Sequence, residues 1–340
     1  MKKRVVSAAL ALMMGASLLA GCEKQPEPVE FTTFAMDTVM SFTLYGDKEK
    51  CANARSIVGM TLSDYEAALS PTRENSDVFR VNQAEGQPVE VGISQLLERA
   101  LELCTVTGGT LDITAYPAVK AWGFTTGEHR VPSPVELEEL AGKIDCTAVK
   151  LAGNVATLPA GMELDLGAVA KGYVGDVLAG QIGLTSALLD LGQSTIVAVG
   201  SKPGGEPWRI GVRDPEGEDY FAVVELSDMA MGTSGGYQRY FEEDGVTYWH
   251  ILDPETAAPA RSGLTSVTVV SPSALVCDGL STALFVMGLE EGTQFWRDHP
   301  ELEFEAIFVT EDGKICRTAG LEGRFSLANG YEDREVTVLE

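Results

Sequence analysis

Positive charge is what this chain has least of. Fifty Asp and Glu face twenty-five Lys and Arg, so the formal net charge is −25. A surface this acidic lacks the basic footprint that nucleic-acid binding requires, and nucleic acid is excluded as a partner. Histidine is also scarce, with only three residues: His129, His250 and His299. The six cysteines are widely spaced and form no CxxC, which argues against a zinc site. No internal repeat or low-complexity tract interrupts the chain, so solenoid and fibrous classes drop out. The one long apolar run, Val5 to Ala20, sits behind Met1-Lys2-Lys3-Arg4 and is short for a spanning helix.

That run ends in Leu18-Leu19-Ala20-Gly21-Cys22, which resembles the lipobox of bacterial lipoproteins. It implies a signal peptide over 1–21, lipid on Cys22, and a mature protein tethered to the membrane outside the cytoplasm. Glu23 to Glu30, polar and carrying two prolines, reads as an extended tether, giving 22–30 as linker and 31–340 as the folded domain. With Cys22 lipidated, Cys51, Cys104, Cys146, Cys277 and Cys316 remain. An oxidising compartment permits a disulfide among them, but the spacing assigns no pair, and buried thiols are the simpler reading.

Helical periods run over 48–69, 93–106, 169–182 and 275–287, with shorter ones at 133–140, where Pro134 stands at N1, and at 290–297. Strand-like segments are predicted at 31–46, 147–151, 155–158, 162–166, 188–199, 208–213, 221–226, 248–252, 264–270, 304–310, 314–318 and 336–339. Thr110 to Phe124 reads as loop. The two kinds mix without strict βαβ alternation, which favours α+β over a doubly wound sheet.

Two short stretches carry most of the chemistry. Cys277 to Phe285 places Asp278, Ser281 and Thr282 on one helix face, three and four positions apart. An oxygen-rich face of this kind suits a hard cation such as Mg²⁺, though the same residues could merely cap or flank a helix. Leu164 to Tyr173 reads as strand, glycine turn and helix start, a place where backbone N–H groups meet phosphate. Together they suggest a metal-assisted enzyme acting on a phosphorylated ligand.

Seven segments in order make the chain resemble the ApbE family of FAD:protein FMN transferases. They are Met36-Asp37-Thr38; Leu111-Asp112-Ile113 with Trp122-Gly123-Phe124; Leu164 to Tyr173; Pro207 to Gly211; Thr233-Ser234-Gly235; His250 to Pro254; and Asp278 to Thr282. The resemblance implies an α+β fold of mixed sheets with packed helices, T-fold-related, in two intimately associated lobes. It implies cleavage of FAD at its pyrophosphate and transfer of FMN to a Thr or Ser hydroxyl of an extracytoplasmic acceptor protein of a redox complex, with AMP leaving. It also implies Mg²⁺ held by Asp278, Thr282 and the Ala168 carbonyl, with Ser281 at a position that is Asp in some members. FAD contacts fall on Met36, Thr110, Leu111, Asp112, Asp165, Lys171 and Leu252, and His250 is the candidate base.

Four places depart from the family pattern. Thr72 stands where an aromatic often stacks, Gln193-Ser194 follow Gly192, Thr233-Ser234-Gly235-Gly236 lacks the frequent following Asp, and Thr256-Ala257-Ala258-Pro259 replaces Thr-Gly-x-Pro. None touches the expected metal residues. Two other outcomes use the same residues: an FAD pyrophosphatase, with water as acceptor, and a non-catalytic FAD-binding lipoprotein.

Overall fold

The computed structural model describes residues 27–340. The expected signal peptide, Cys22 and the first half of the tether lie outside the described residues. The first strand already begins at Val29, two residues inside the stretch read as tether. Among the described residues no helix is long and apolar enough to cross a membrane.

Nine strands form one sheet in which spatial order follows chain order. They are Val29–Ala35, Thr38–Leu44, Ser186–Asp190, Thr195–Gly200, Met229–Gly235, Leu264–Ser271, Glu305–Thr310, Ile315–Thr318 and Val336–Leu339. Neighbours are antiparallel except the last pair, Ile315–Thr318 with Val336–Leu339, which is parallel. Both faces are covered, and the period-2 alternation of side chains shows it. Val197, Ala230, Val267, Val269 and Phe308 join the larger core beneath the helices. Ile196, Ala198, Met231, Val270, Ile307 and Val309 point the other way. There they meet a three-stranded sheet of Trp208–Arg213, Tyr220–Leu226 and Phe325–Leu327. The result is a three-layer α+β architecture of helices, large sheet and small sheet. A third, smaller core surrounds Trp122, Leu140, Leu252 and Ala257.

The helices start where the sequence offers oxygen caps. Asp47 accepts from the Lys50 N–H ahead of Lys48–Leu69, and Ser133 from Glu136 ahead of Pro134–Ala141. Ser273 caps Ala274–Asp298, which Gly288 (φ 84°) breaks between the two predicted helical periods.

Several expected strands and loops differ from the observed ones. Residues 188–199 are two strands separated by a turn, because Gly192 and Gln193 take positive φ. Residues 162–166 form no strand, only an isolated bridge between Glu163 and Ala115. The Thr110 to Phe124 loop contains the short helix Tyr116–Ala121. Most consequential, Met229–Gly235 is a central strand that the sequence hides. Its Met-Ala-Met-Gly-Thr-Ser-Gly lacks a β-branched run. Glycine is needed at 232 because helix Ala274–Asp298 lies against the strand. A Cβ there would stand 2.7 Å from the Cys277 carbonyl carbon.

Candidate active site

The site is assembled where helix Ala170–Gln181 meets the first turn of helix Ala274–Asp298. Their approach is backbone to backbone: a Cβ on Gly172 would lie 2.1 Å from the Ala274 carbonyl oxygen. Asp176, one turn further on, fixes the angle. Its carboxylate accepts from the Ala274 N–H (2.6 Å), the Leu275 N–H (3.2 Å) and the Ser273 hydroxyl (2.7 Å). An anion at a helix N-terminus meets unpaired donors and the positive end of the dipole.

This junction brings Gly172 under Asp278. The Gly172 N–H donates to Asp278 Oδ2 at 2.7 Å, and the Thr195 hydroxyl donates to Oδ1 at 2.7 Å. Asp278 is 6% exposed. Burial raises its pKa, opposed by the charge of Lys171 and by the two hydrogen bonds. Among the described residues none of the ion pairs includes Asp278. A turn later, the Ser281 and Thr282 hydroxyls meet the Ser234 hydroxyl at 2.9 and 3.1 Å. Both also donate back to the Asp278 carbonyl, at 3.0 and 3.4 Å.

This floor is made only of oxygen donors around one buried carboxylate without a direct counter-ion. Each carboxylate oxygen accepts one hydrogen bond and keeps a lone pair. The set fits a hard cation that completes its shell with water and substrate phosphate. It has one carboxylate, and among the described residues no group of three or more His, Cys, Asp or Glu could hold a metal. Ala168 lies in the turn between Asp165 and the start of helix Ala170–Gln181.

The charge of Lys171 acts on both Asp278 and His250, which links the floor to a second set of charged and ring-bearing groups. Asp165 Oδ1 accepts from the Gly167 N–H at 2.8 Å, holding the turn before Lys171. Burial raises the Asp165 pKa, countered by that bond and by Arg239. His250 follows the hairpin of Tyr240–Glu243 and Val246–Trp249. Its backbone N–H donates to the Arg239 carbonyl at 3.1 Å, and Nδ1 approaches the same oxygen at 3.3 Å. A carbonyl can only accept, so Nδ1 carries the proton in this contact and Nε2 keeps its lone pair. Burial pushes the His250 pKa down to about 4, and the positive charges of Arg239 and Lys171 push the same way. The imidazole is therefore neutral at pH 7. Phe124 meets it edge-on with ring centroids 6.4 Å apart, within an aromatic run of His129, Phe241 and Tyr248.

The remaining expected FAD positions are spread more widely. Met36 and Asp37 form the two-residue turn of the first hairpin, both at positive φ (51° and 60°) without being glycine. Backbone strain of this kind persists only where surroundings enforce it. Here the Glu66 carboxylate accepts from the Met36 N–H at 3.3 Å. Leu111 is buried against the helix at Gly279, beside Asp278. Leu252 is buried with Trp122 and Ala257, so its side chain belongs to the core. Thr110 and Asp112 line a 640 Å³ cavity with Cys104, Cys146, Asp253 and Glu255. Asp112 is heavily engaged there. It accepts from the Thr114 N–H (2.8 Å) and hydroxyl (2.6 Å), and from the Cys146 N–H (2.7 Å).

Sequence reasoning missed Thr195, Asp176 and Arg239, and gave Ser234 no role. Thr195 and Ser234 lie on adjacent strands, and nothing in the linear order brings them to residue 278. Asp176 was findable, since it stands five residues after Lys171 in the same helical stretch.

The sequence profile of the ApbE family matches residues 36–308. A protein of Treponema pallidum (strain Nichols) named FAD:protein FMN transferase is 36% identical over 287 residues, 77% of this chain and 78% of that one. One of the same name from Vibrio cholerae is 33% identical over 313 residues, 87% and 92% of the two chains. The crystal structure of the ApbE protein of Thermotoga maritima superposes with a TM-score of 0.82 at 32% identity, covering 87% of this chain and 98% of that one. That of Pseudomonas stutzeri flavinyl transferase ApbE gives 0.76 at 28% identity, covering 92% and 98%. With a profile match over most of its length and the same fold in both solved structures, this chain belongs to the ApbE family.

Proposed function

We propose that this chain is a flavin transferase that moves FMN from FAD to a Thr or Ser hydroxyl of an extracytoplasmic acceptor protein, using Mg²⁺ and releasing AMP. The observation that carries the reading is the pairing of the Asp278 oxygen floor with a neutral His250 whose Nε2 lone pair is free. The family membership narrows the phosphorylated ligand to FAD.

In this reading the Gly172 N–H and Thr195 hydroxyl hold the Asp278 carboxylate in one orientation. Ser234 holds Ser281 and Thr282 in theirs. Asp278, Thr282 and the Ala168 carbonyl would hold Mg²⁺, with Ser281 in support. Bound there, the ion supplies charge neutralisation at the diphosphate. Lys171 adds a positive charge next to the phosphates, and Arg239 a second. The acceptor hydroxyl oxygen attacks the phosphorus of the FMN half, and its proton passes to His250 Nε2. The bond from that phosphorus to the bridging oxygen breaks, and the pair of electrons leaves with AMP. The new bond is a phosphodiester between FMN and the acceptor. The negative diphosphate also offsets the fields of Arg239 and Lys171, so substrate binding raises the basicity of His250 toward the working range. The lipobox-like segment ending at Cys22 supports an extracytoplasmic, lipid-tethered setting for this chemistry.

The test is to incubate the protein with FAD, Mg²⁺ and a candidate acceptor domain. Flavin fluorescence on the denatured acceptor, together with free AMP, is the expected result. FMN and AMP without labelling would instead make the chain a pyrophosphatase. FAD retained with neither product would make it a binding protein.

A further inference from the structure

Two thiols that the chemistry above does not use lie together beside it. Cys104 is in the last turn of helix Ser94–Val106, and Cys146 opens the short 3-10 turn Cys146–Ala148. Both are free and buried, and both line the 640 Å³ cavity. The helix and the 3-10 turn that carry them pack against each other, and the neighbouring Cys146 thiol is the first cause that raises the Cys104 pKa. The surrounding segments converge on the same place. The Cys146 N–H donates to Asp112 Oδ2 at 2.7 Å, and the Cys104 carbonyl accepts from the Gly109 N–H at 3.0 Å, one residue before Thr110. Cys51, Cys277 and Cys316 sit elsewhere. The Cys51 and Cys277 sulfurs approach the backbone carbonyls of Leu44 and Ser271, each at 3.9 Å.

We propose that Cys104 and Cys146 are a disulfide site, closing a covalent tie across the cavity beneath Thr110 and Asp112. The oxidant is a small-molecule or protein disulfide that reaches the thiols through the cavity. One thiolate attacks it, giving a mixed disulfide and one released thiol. The second thiolate attacks that mixed bond, giving the Cys104–Cys146 disulfide and a second released thiol. Two protons and two electrons leave the protein, and the oxidant takes up both. The tie joins the helix before Gly108-Gly109 to the segment after Asp145. It therefore limits the freedom of the loop between them, where the expected FAD contacts Thr110 to Asp112 stand. The adjacent Cys146 thiol and then burial raise the Cys104 pKa and make its thiolate scarce, so the exchange is slow without a catalyst.

The experiment uses oxidised glutathione as the probe. The protein is incubated with it, unfolded, alkylated, digested and analysed by mass spectrometry, in parallel with a fully reduced sample. A peptide pair linked through Cys104 and Cys146, with both sites protected from alkylation, is the expected result. Oxidation is also expected to raise the melting temperature by roughly 5 °C, because the tie closes a long loop. The double variant Cys104→Ala/Cys146→Ala should lose that rise. Cys104→Ser alone should stop at the glutathione mixed disulfide on Cys146, a readout that does not need the double variant to fold well. Full alkylation of both sites after oxidation, or linkage of either to Cys51, Cys277 or Cys316, would overturn the proposal. None of these outcomes involves FAD, so the site stands or falls separately from the transferase reading.

Discussion

The floor around Asp278 and the rim around His250 are built in opposite ways. The floor sits on a helix and two strands of the main sheet, and its polar side chains are bonded to one another or to backbone. Its position is set by backbone contacts at Gly172 and Gly232, which leave no room for adjustment. The rim hangs on a two-stranded hairpin outside the main sheet. His250 touches one backbone carbonyl and feels Arg239 and Lys171 through their fields. In the proposed function the floor holds the ligand, and a ligand-holding device that must not move belongs on rigid elements. In the same proposed function, a proton acceptor whose basicity changes on substrate binding stands where charge can reach it and a ligand can alter the balance.

The sharpest way to break this contrast is to remove the floor's carboxylate. Asp278→Ala should lower transfer by at least about a thousandfold, since it removes the expected metal ligand and leaves two buried donors unpaired. The same loss of partners should destabilise the protein by about 1–3 kcal/mol. Asp278→Asn separates the two effects. Its amide oxygen can accept from Gly172 while its NH₂ donates to the Thr195 hydroxyl, so melting should stay near wild type while activity is lost. A normal rate in Asp278→Ala would remove the floor from the chemistry.

At the rim, His250→Ala should lower transfer by roughly 10² to 10⁴ and leave FAD affinity within a few-fold of wild type. Equal losses in transfer and affinity, measured by fluorescence quenching, would make His250 a binding residue. The field at the rim can be read from pH. With the His250 pKa lowered to about 4, its neutral form is complete above the ordinary value of 6.5. The stability that it contributes is accordingly full above 6.5 and is lost as pH falls towards 4. Arg239→Gln removes a positive charge that opposes protonation. The acid limb of kcat/KM should therefore move up by about one pH unit. An unmoved limb would mean that Arg239 does not act on His250. The smallest effect is expected from Ser281→Ala, which loses hydrogen bonds within the floor and should cost less than about tenfold in rate.

Much of the floor was legible because it is local in sequence. Asp278, Ser281 and Thr282 share one helix face, and Asp165 to Lys171 form one turn and helix start. Helices with strong periods and oxygen caps, such as Lys48–Leu69, were legible for the same reason. The second half of the floor was not. Thr195 and Ser234 come from strands 83 and 47 residues away from their helix partners. The strand carrying Ser234 lacks strand-like composition because Gly232 must admit a helix. Arg239 was missed because it acts through its backbone carbonyl and its field, and neither has a sequence signature. The strained Met36-Asp37 turn was equally hidden, since a Met-Asp pair does not announce positive φ.

In the proposed function, Asp278 and the hydroxyls beside it bind a hard cation together with the diphosphate of FAD. Titrating FAD into the wild type and into Asp278→Asn, each with Mg²⁺ and with EDTA, tests it directly. Mg²⁺ should tighten FAD binding at least about tenfold in the wild type and have no effect in the variant. The same tightening in both proteins, or in neither, would contradict it.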